Sequence, residues 1–298
     1  MEISTEKNNL RFAVIFATRG RPKILEEVVR DIISTQTKQP DLVIVSCPTL
    51  EDAGNTKSIL NVKIVISPPG LAAQRNAALA LIPFSIDIII FLDDDFLMHP
   101  NWIRDANSIF LADDNIASLT GDVIFDDIKG PGLSFSKAKK IIASYQGSYD
   151  KTIIDGYSPY GCNMAFRNTL ITGIFFDERL VLYGWLEDRD FGARIRKSGG
   201  KLVKAMSLKG VHMGVKSGRV SGVKLGYSQI VNPLYLKNKN SMSTSQVVDH
   251  IFRNMTSNII RSFYPEKYID RRGRLRGNIM GVFDILKGVA APERAEKI

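Results

Sequence analysis

The first ninety-five residues alternate short apolar runs with stretches of helical spacing, and the last of these runs ends on three consecutive aspartates. Arg11–Ala17, Leu42–Cys47 and Val62–Ile66 are rich in Val, Ile and Phe and read as buried strands. Between them, Lys23–Ser34 places Ile24, Leu25, Val28, Val29, Ile32 and Ile33 on one helical face, with Pro22 suited to a first helical turn. Leu71–Ile82 reads as a second helix after the break at Pro68-Pro69-Gly70, and Ile86–Leu92 is the most apolar strand. Strand–helix alternation of this kind predicts an α/β fold, a mostly parallel mixed sheet with helices on both faces. Such sheets bind ligands beyond the carboxyl ends of their strands, where Thr18, Cys47, Ser67 and Asp93-Asp94-Asp95 all fall.

The next third is more mixed. A helix is expected over Trp102–Ala112, an extended segment over Ile116–Phe125, and a mobile Gly-, Lys- and Ser-rich loop over Lys129–Asp155. Tyr160–Phe166 reads as a further strand of the same sheet, Glu187–Lys197 as a helix and Lys201–Met206 as an edge strand. After about Gly226 the character changes. Gln246–Tyr264 carries Val248, Ile251, Phe252, Met255, Ile259 and Phe263 on one helical face, and Ile279–Leu286 is a shorter amphipathic stretch. The expected organisation is a catalytic domain over residues 1–225 and a basic, amphipathic helical extension over 226–298.

Charge is unevenly divided. Residues 1–190 hold 19 basic and 25 acidic side chains, and residues 191–298 hold 21 and 6. The second half is therefore expected to meet something anionic, such as phosphate, nucleic acid or an acidic membrane, unless the excess only aids solubility. Two cysteines cannot build a disulfide framework, no apolar run approaches the ~20 residues of a membrane span, and the polar first ten residues lack a signal-peptide core. A cytoplasmic protein is expected, with a peripheral position on the inner membrane as its membrane-facing variant.

Three adjacent carboxylates repel one another unless a cation sits among them. Asp93-Asp94-Asp95 after a buried strand therefore points to a hard divalent ion, Mg²⁺ or Mn²⁺, held with the help of substrate phosphates. A surface turn is the plain alternative, but a turn needs one aspartate. Glu187-Asp188, following Tyr183-Gly184-Trp185-Leu186, could cap a helix or supply a general base. His212 in Gly210-Val211-His212-Met213-Gly214 could complete a metal shell or be an ordinary polar residue. Arg19, Arg21 and Arg75 fall where a guanidinium could meet phosphate. Tyr157–Met164 is a Gly-containing turn entering a strand.

In order along residues 11–215, FAVIFATRGRP, GLAAQRNAAL, FLDDD, GCNMAFR, FDERLVLYGWLEDRDFGARI and GVHMG resemble the landmarks of family 2 glycosyltransferases with the GT-A fold. The resemblance implies a nucleotide-sugar donor, a divalent metal and inverting transfer of the sugar to a hydroxyl. By position it implies that Thr18, Arg19, Arg75, Asp93 and Asp94 serve the donor, Asp95 and His212 the metal, and Asp188 the base. It places Gly161, Cys162, Asn163, Trp185 and Glu187 on the acceptor side. Many members end the second strand with an aspartate that reads the nucleobase. Here it ends Ser46-Cys47-Pro48, which leaves UDP-, dTDP- and GDP-sugars open. The acceptor is expected to be a glycan or a lipid-linked molecule in surface polysaccharide synthesis. The basic extension is expected either to touch an anionic membrane or to pack on the domain or a second copy.

Two other classes compete. A nucleotidyltransferase would show a Gly-rich basic loop after the first strand, where Thr18–Pro22 has one Gly. A non-enzymatic nucleic-acid or membrane-surface binding protein is suggested by pI ≈ 9.4, but no nucleic-acid recognition motif or stacking platform is present, so no nucleic-acid partner is expected.

Overall fold

The computed structural model describes residues 9–145 and 150–298. The chain opens as expected: β1 (Phe12–Ala17), α1 (Pro22–Thr35), β2 (Leu42–Cys47), a short α2 (Leu50–Ala53), β3 (Val62–Ile66), α3 (Leu71–Leu79) and β4 (Ile88–Asp93). It continues through β5 (Phe96–Met98), α4 (Trp102–Ala112), β6 (Ile116–Asp126), α5 (Phe135–Ser144), β7 (Ile153–Asp155), β8 (Asn163–Arg167) and a one-turn α6 (Asn168–Ile171). Then come α7 (Glu187–Lys197), β9 (Lys201–His212), α8 (Gly222–Asn238), α9 (Thr244–Phe263) and α10 (Arg271–Leu286).

The strands form one sheet in the order β3-β2-β1-β4-β8-β6-β9-β5, with β7 also on β9. β1 to β4 pair in parallel, and β8 enters antiparallel between β4 and β6. Because side chains alternate across a strand, β1 feeds two cores. Phe12, Val14 and Phe16 pack with Leu25, Val28 and Ile32 of α1 on one face, and Ala13 and Ile15 pack with Ala72, Ala78, Phe176 and Phe191 on the other. Both faces are covered, which is why β1, β2 and β4 read as continuous apolar runs rather than as alternating ones.

Two expectations fail here for physical reasons. The segment 129–155 contains the helix α5 and the strand β7. Ser134 caps the helix by accepting from the Lys137 amide, and Ala138 and Ile142 anchor it in the core, a spacing hidden among lysines and serines. Residues 146–149 of that segment lie outside the described residues. The expected edge strand at 201–206 runs on to His212 and lies inside the sheet, parallel to β6 and antiparallel to β5 and β7. Polar Lys204, Ser207 and Lys209 interrupt the apolar pattern. The two lysines sit there because both pair with Asp122 of β6, at 2.7 and 2.8 Å.

The C-terminal part is three helices. α8 spans the position near residue 225 where the sequence changes character, and Ile279–Leu286 is the second half of the longer α10. α8 and α10 cross at glycines: a Cβ on Gly226 would lie 2.1 Å from the Arg274 carbonyl oxygen, and one on Gly277 2.0 Å from that of Val223. Such backbone approach leaves no room for any side chain. Gly226→Val should force the helices apart and destabilise the fold by about 1–3 kcal/mol, read as a lower midpoint in chemical denaturation. An unchanged midpoint would show that the crossing is not tight.

Candidate active site

The ends of β4, β8 and β9 and the start of α7 bring the acidic residues together. β4 delivers Asp93, and the next two residues turn inward, so Asp94 and Asp95 are buried. Asp94 is fixed by the Thr18 hydroxyl, which donates to Oδ2 at 2.6 Å, and by Arg21, whose Nη1 donates to Oδ1 at 2.8 Å. Burial pushes the Asp94 carboxyl up to about 6 against the pull of Arg21. Arg21 also reaches Asp95 at 3.5 Å. Arg19, expected to bind the donor, is exposed, and Arg21 is the arginine that meets the aspartates.

His212 stands at the end of β9, in register with Phe96 of β5 and Asp126 of β6. Its Nε2 lies 3.3 Å from Asp95 Oδ1 and 3.8 Å from Asp93 Oδ2, and its Nδ1 lies 3.0 Å from Asp126 Oδ1. Burial draws the imidazole down, but Asp126, Asp95 and Asp93 outweigh it and raise it to about 10. Asp126 is held in turn by the Tyr160 hydroxyl at 2.9 Å.

Asp93, Asp95 and His212 each offer a ligand atom within 4.8 Å of the others. The Val215 amide donates to Asp95 Oδ2 at 2.6 Å, while Asp95 Oδ1 is buried without a hydrogen-bond partner. A desolvated carboxylate oxygen whose one neighbour is the His212 imidazole, beside a second carboxylate, fits a hard divalent cation such as Mn²⁺ or Mg²⁺. Asp93, read from sequence as a donor contact, joins Asp95 and His212 in this set.

Arg75 is the second centre. It is fully buried on α3, pairs with Glu187 and lies 3.5 Å from Asp93, and its Nη2 donates to the Gly161 carbonyl at 2.8 Å. The two partners of the Arg75–Glu187 pair shift in discordant senses. Arg75 is held more firmly protonated by Glu187 and Asp93, which outweigh its burial, yet burial lifts Glu187 up to about 8 despite Arg75. The guanidinium is charged throughout. Glu187 rises because it shares that one cation with Asp93 and has a second buried oxygen, Oε2, without a partner.

Asp188 accepts from the Gly161 amide at 2.8 Å and from its own neighbour, the Arg189 amide, at 2.7 Å. Gly161 is thus clamped by Asp188 at its N–H and by Arg75 at its C=O. The approach to α7 is strained to allow this: Leu182, Gly184 and Leu186 all have positive φ, and Leu186 at 72° is the helix N-cap. Non-glycine residues in that region cost about 1–3 kcal/mol and collect at functional sites.

A cavity of about 540 Å³ opens at this point. Asp93, Glu187, Asp188 and His212 line it, as do Gly161, Cys162 and Trp185 from the expected acceptor side. Asn163 sits behind it, fully buried with both amide atoms unpartnered. Gln246 and His250 of α9 form part of its wall, so the C-terminal helices contribute to the site. Sequence reasoning missed Gln74, which donates to the carbonyls of Thr18 and Ser46 and ties the ends of β1 and β2. It also missed Asp126 and Tyr160 behind His212. For Gln74 the neighbouring Arg75-Asn76 was a signal; for Asp126 there was none, because only strand pairing brings it to His212.

No family model matches the chain, and no curated protein matches it by sequence. Among solved structures it is similar to GalNAc-T7, crystallised with UDP, GalNAc and Mn²⁺, with a TM-score of 0.55 at 15% identity over 87% of this chain and 59% of that one. It is similar to S. aureus TarS at 0.50 and 16%, over 87% and 44% of the two chains, and to TarS residues 1–349 at 0.51 and 17%, over 97% and 83%. The chain thus spans little more than half of GalNAc-T7 and less than half of the longer TarS chain. At these identities the likeness shows the fold, which is the GT-A fold of glycosyltransferases.

Two predictions follow from the geometry. Asp126→Asn should weaken Mn²⁺ binding about 10–100-fold, as loss of a ligand's outer partner typically does, and Asp95→Ala should weaken it at least as much. Titration calorimetry with Mn²⁺ checks both; unchanged affinity would remove these residues from a metal site. Arg75→Met should leave Glu187 and Asp93 buried without their cation and destabilise the fold by about 3–5 kcal/mol above pH 8, where Glu187 is ionised. A carboxyl raised in the fold contributes stability present below its unfolded value near 4.5 and lost as pH rises through about 8. The gap between variant and wild type should therefore stay level between pH 5 and about 8, where Glu187 keeps its proton in both folds, and widen above pH 8 in denaturant titrations.

Proposed function

We propose that the protein is an inverting, metal-dependent glycosyltransferase that moves a sugar from a nucleotide-sugar donor to a hydroxyl of a glycan or lipid-linked acceptor. The observation that carries this reading is one cavity lined both by members of the Asp93/Asp95/His212 set and by Asp188. GalNAc-T7 binding UDP and Mn²⁺ on the same fold supports it.

Asp93, Asp95 and His212 would hold the cation, which when bound would offset charge building on the leaving diphosphate. The chain adds its own cations there. The loop after β9 bonds Asp95 through the Val215 amide and carries Lys216 and Arg219, both shifted down by burial and by neighbouring cations, Arg219 and Arg21 respectively. Such crowding favours an anion between them. Thr18 and Arg21 hold Asp94 in place, and Arg75 fixes the carbonyl of Gly161 and the side chain of Glu187.

Asp188 would take the proton from the acceptor hydroxyl as that oxygen attacks the anomeric carbon and the bond to diphosphate breaks. Two backbone amides orient its carboxylate, which leaves lone pairs for the hydroxyl. Attack in line with the leaving group inverts the carbon without a covalent enzyme intermediate. The same carboxylate serving as a nucleophile would instead retain configuration, and product stereochemistry separates the two.

A screen of UDP-, dTDP- and GDP-sugars for Mn²⁺-dependent thermal stabilisation identifies the donor, because a ligand that binds only the folded state raises its stability. Asp188→Asn should keep that stabilisation and lose about 10²–10⁴ in turnover. Near-wild-type transfer by the variant would remove Asp188 as the base.

A further inference from the structure

We propose that the outer face of α9 and α10 seats the protein on an anionic lipid bilayer. Gln246–Tyr264, expected from its periodicity to carry an apolar stripe that either touches a membrane or packs on protein, leaves much of that stripe uncovered by the rest of the chain. Phe252 is 68% exposed and Phe263 72%, and on α10 Phe283 is 56% and Leu286 77% exposed. Around an α-helix, Val248, Phe252, Ile259 and Phe263 fall within about 60° of one another, a single stripe. Ile279, Phe283 and Leu286 do the same on α10.

The interior of the three-helix unit joins apolar contacts, such as Leu236 of α8 with Val247 of α9, to a polar seam. Asn258 donates to Gln229 at 2.9 Å and to Asn278 at 2.8 Å, Asn278 donates to the Gly226 carbonyl at 2.7 Å, and Arg271 donates to Asn258 at 3.1 Å. Amides and glycines take a share of the inside while Phe, Ile and Leu stand outside, which departs from the ordinary arrangement of a water-facing bundle. Helices that associate within lipid use small residues and interhelical amide bonds in this way.

Charge selects the occupant. Arg272, Arg276 and Lys267 are exposed and make no ion pair within 4 Å among the described residues, and exposed Lys287 has only Asp284 of its own helix nearby. A second copy docked on this face would bring two such sets of cations together, whereas anionic headgroups complement them. Tyr264 and Tyr268, 91% and 41% exposed, join the two helices with rings suited to the headgroup level. No described helix is long and apolar enough to cross a membrane, so the contact is interfacial. α9 also supplies Gln246 and His250 to the cavity wall, so docking would hold that cavity at the bilayer, within reach of an acceptor carried on lipid. This last consequence rests on the glycosyltransferase reading; the docking itself does not.

Flotation of the full chain, without donor, with vesicles of phosphatidylcholine alone or mixed with phosphatidylglycerol tests the proposal. Binding to the mixed vesicles at low salt, weakened by added salt and absent with neutral vesicles, is expected. The exposed-site double variant Phe252→Glu/Phe283→Glu should lose binding. Arg272→Gln/Arg276→Gln should weaken it about thirtyfold, at roughly a fivefold loss per cation. Unchanged circular dichroism and thermal midpoint show that both variants fold. No binding at low salt, or equal binding to neutral vesicles, overturns the proposal. So does a dimer seen by light scattering that Phe252→Glu/Phe283→Glu converts to monomer while vesicle binding persists. Because donor is absent, none of these outcomes bears on metal or nucleotide binding.

Discussion

The buried guanidinium of Arg75 is the interaction on which the rest of the site depends. It reaches from α3 to three other elements: Asp93 at the end of β4, the carbonyl of Gly161 before β8 and Glu187 at the start of α7. The rings of Phe91 and Phe176 lie beneath it, with centroids 5.8 and 5.4 Å from its central carbon. A charge this deep is tolerable only because every direction around it offers a carboxylate, a carbonyl or a ring. One cation shared by two acids leaves each of them under-compensated. That is why burial dominates Glu187, and why Asp93 keeps an oxygen turned toward His212. Through Gly161 the same guanidinium positions the amide that holds Asp188. The Asp93/Asp95/His212 set and Asp188 are therefore registered against each other by one side chain.

Much of this was legible from residue type and spacing because it rests on local pattern. The strands β1, β2 and β4 announce themselves as apolar runs since both faces are covered, and the aspartates declare the carboxyl end of β4. Thr18, Arg75 and the 187–188 pair could be placed because each lies beside a strand end or a helix start that the pattern marks. What stayed hidden depends on pairing across distance. Asp126 meets His212 only because β6 and β9 run parallel in a register disturbed by bulges, and nothing in either segment encodes that neighbour. The choice between Arg19 and Arg21 was likewise undetermined: two residues apart on a turn, they differ only in which way the backbone points them. The helix α5 was obscured because an amphipathic helix with two buried anchors needs few apolar residues, and lysines and serines supply the rest.

The charge division also takes on a different meaning in three dimensions. The carboxylates of the site are balanced mainly by Arg21 and Arg75, from the acidic half, and by the imidazole of His212. Of the many late cations, Lys239 is consumed locally, between Asp177 and Asp190, where it braces α7 against α8. Lys204 and Lys209 are consumed by Asp122 inside the sheet. Among the other late cations, two groups lie where an anion could meet them. Lys216 and Arg219 face the Asp95 side of the site, and Arg272, Arg276, Lys267 and Lys287 lie on the C-terminal helices.

Those two groups answer to different physics. Cations crowded beside the Asp93/Asp95/His212 set are raised in energy by each other, and a diphosphate would relieve them. Cations beside exposed Phe, Ile and Leu gain nothing from a small anion in water, because the apolar surface next to them would remain wet. Only a partner that removes apolar area from water and supplies negative charge along its edge satisfies both, and a bilayer with anionic headgroups does so in one plane. The polar seam of Asn258, Asn278 and Gln229 is consistent with that setting, since it keeps three helices together without spending their outer apolar faces on one another. The C-terminal helices thus close one wall of the cavity with α9 while keeping their outer faces free. The same architecture that completes the site also determines which way it would face a membrane.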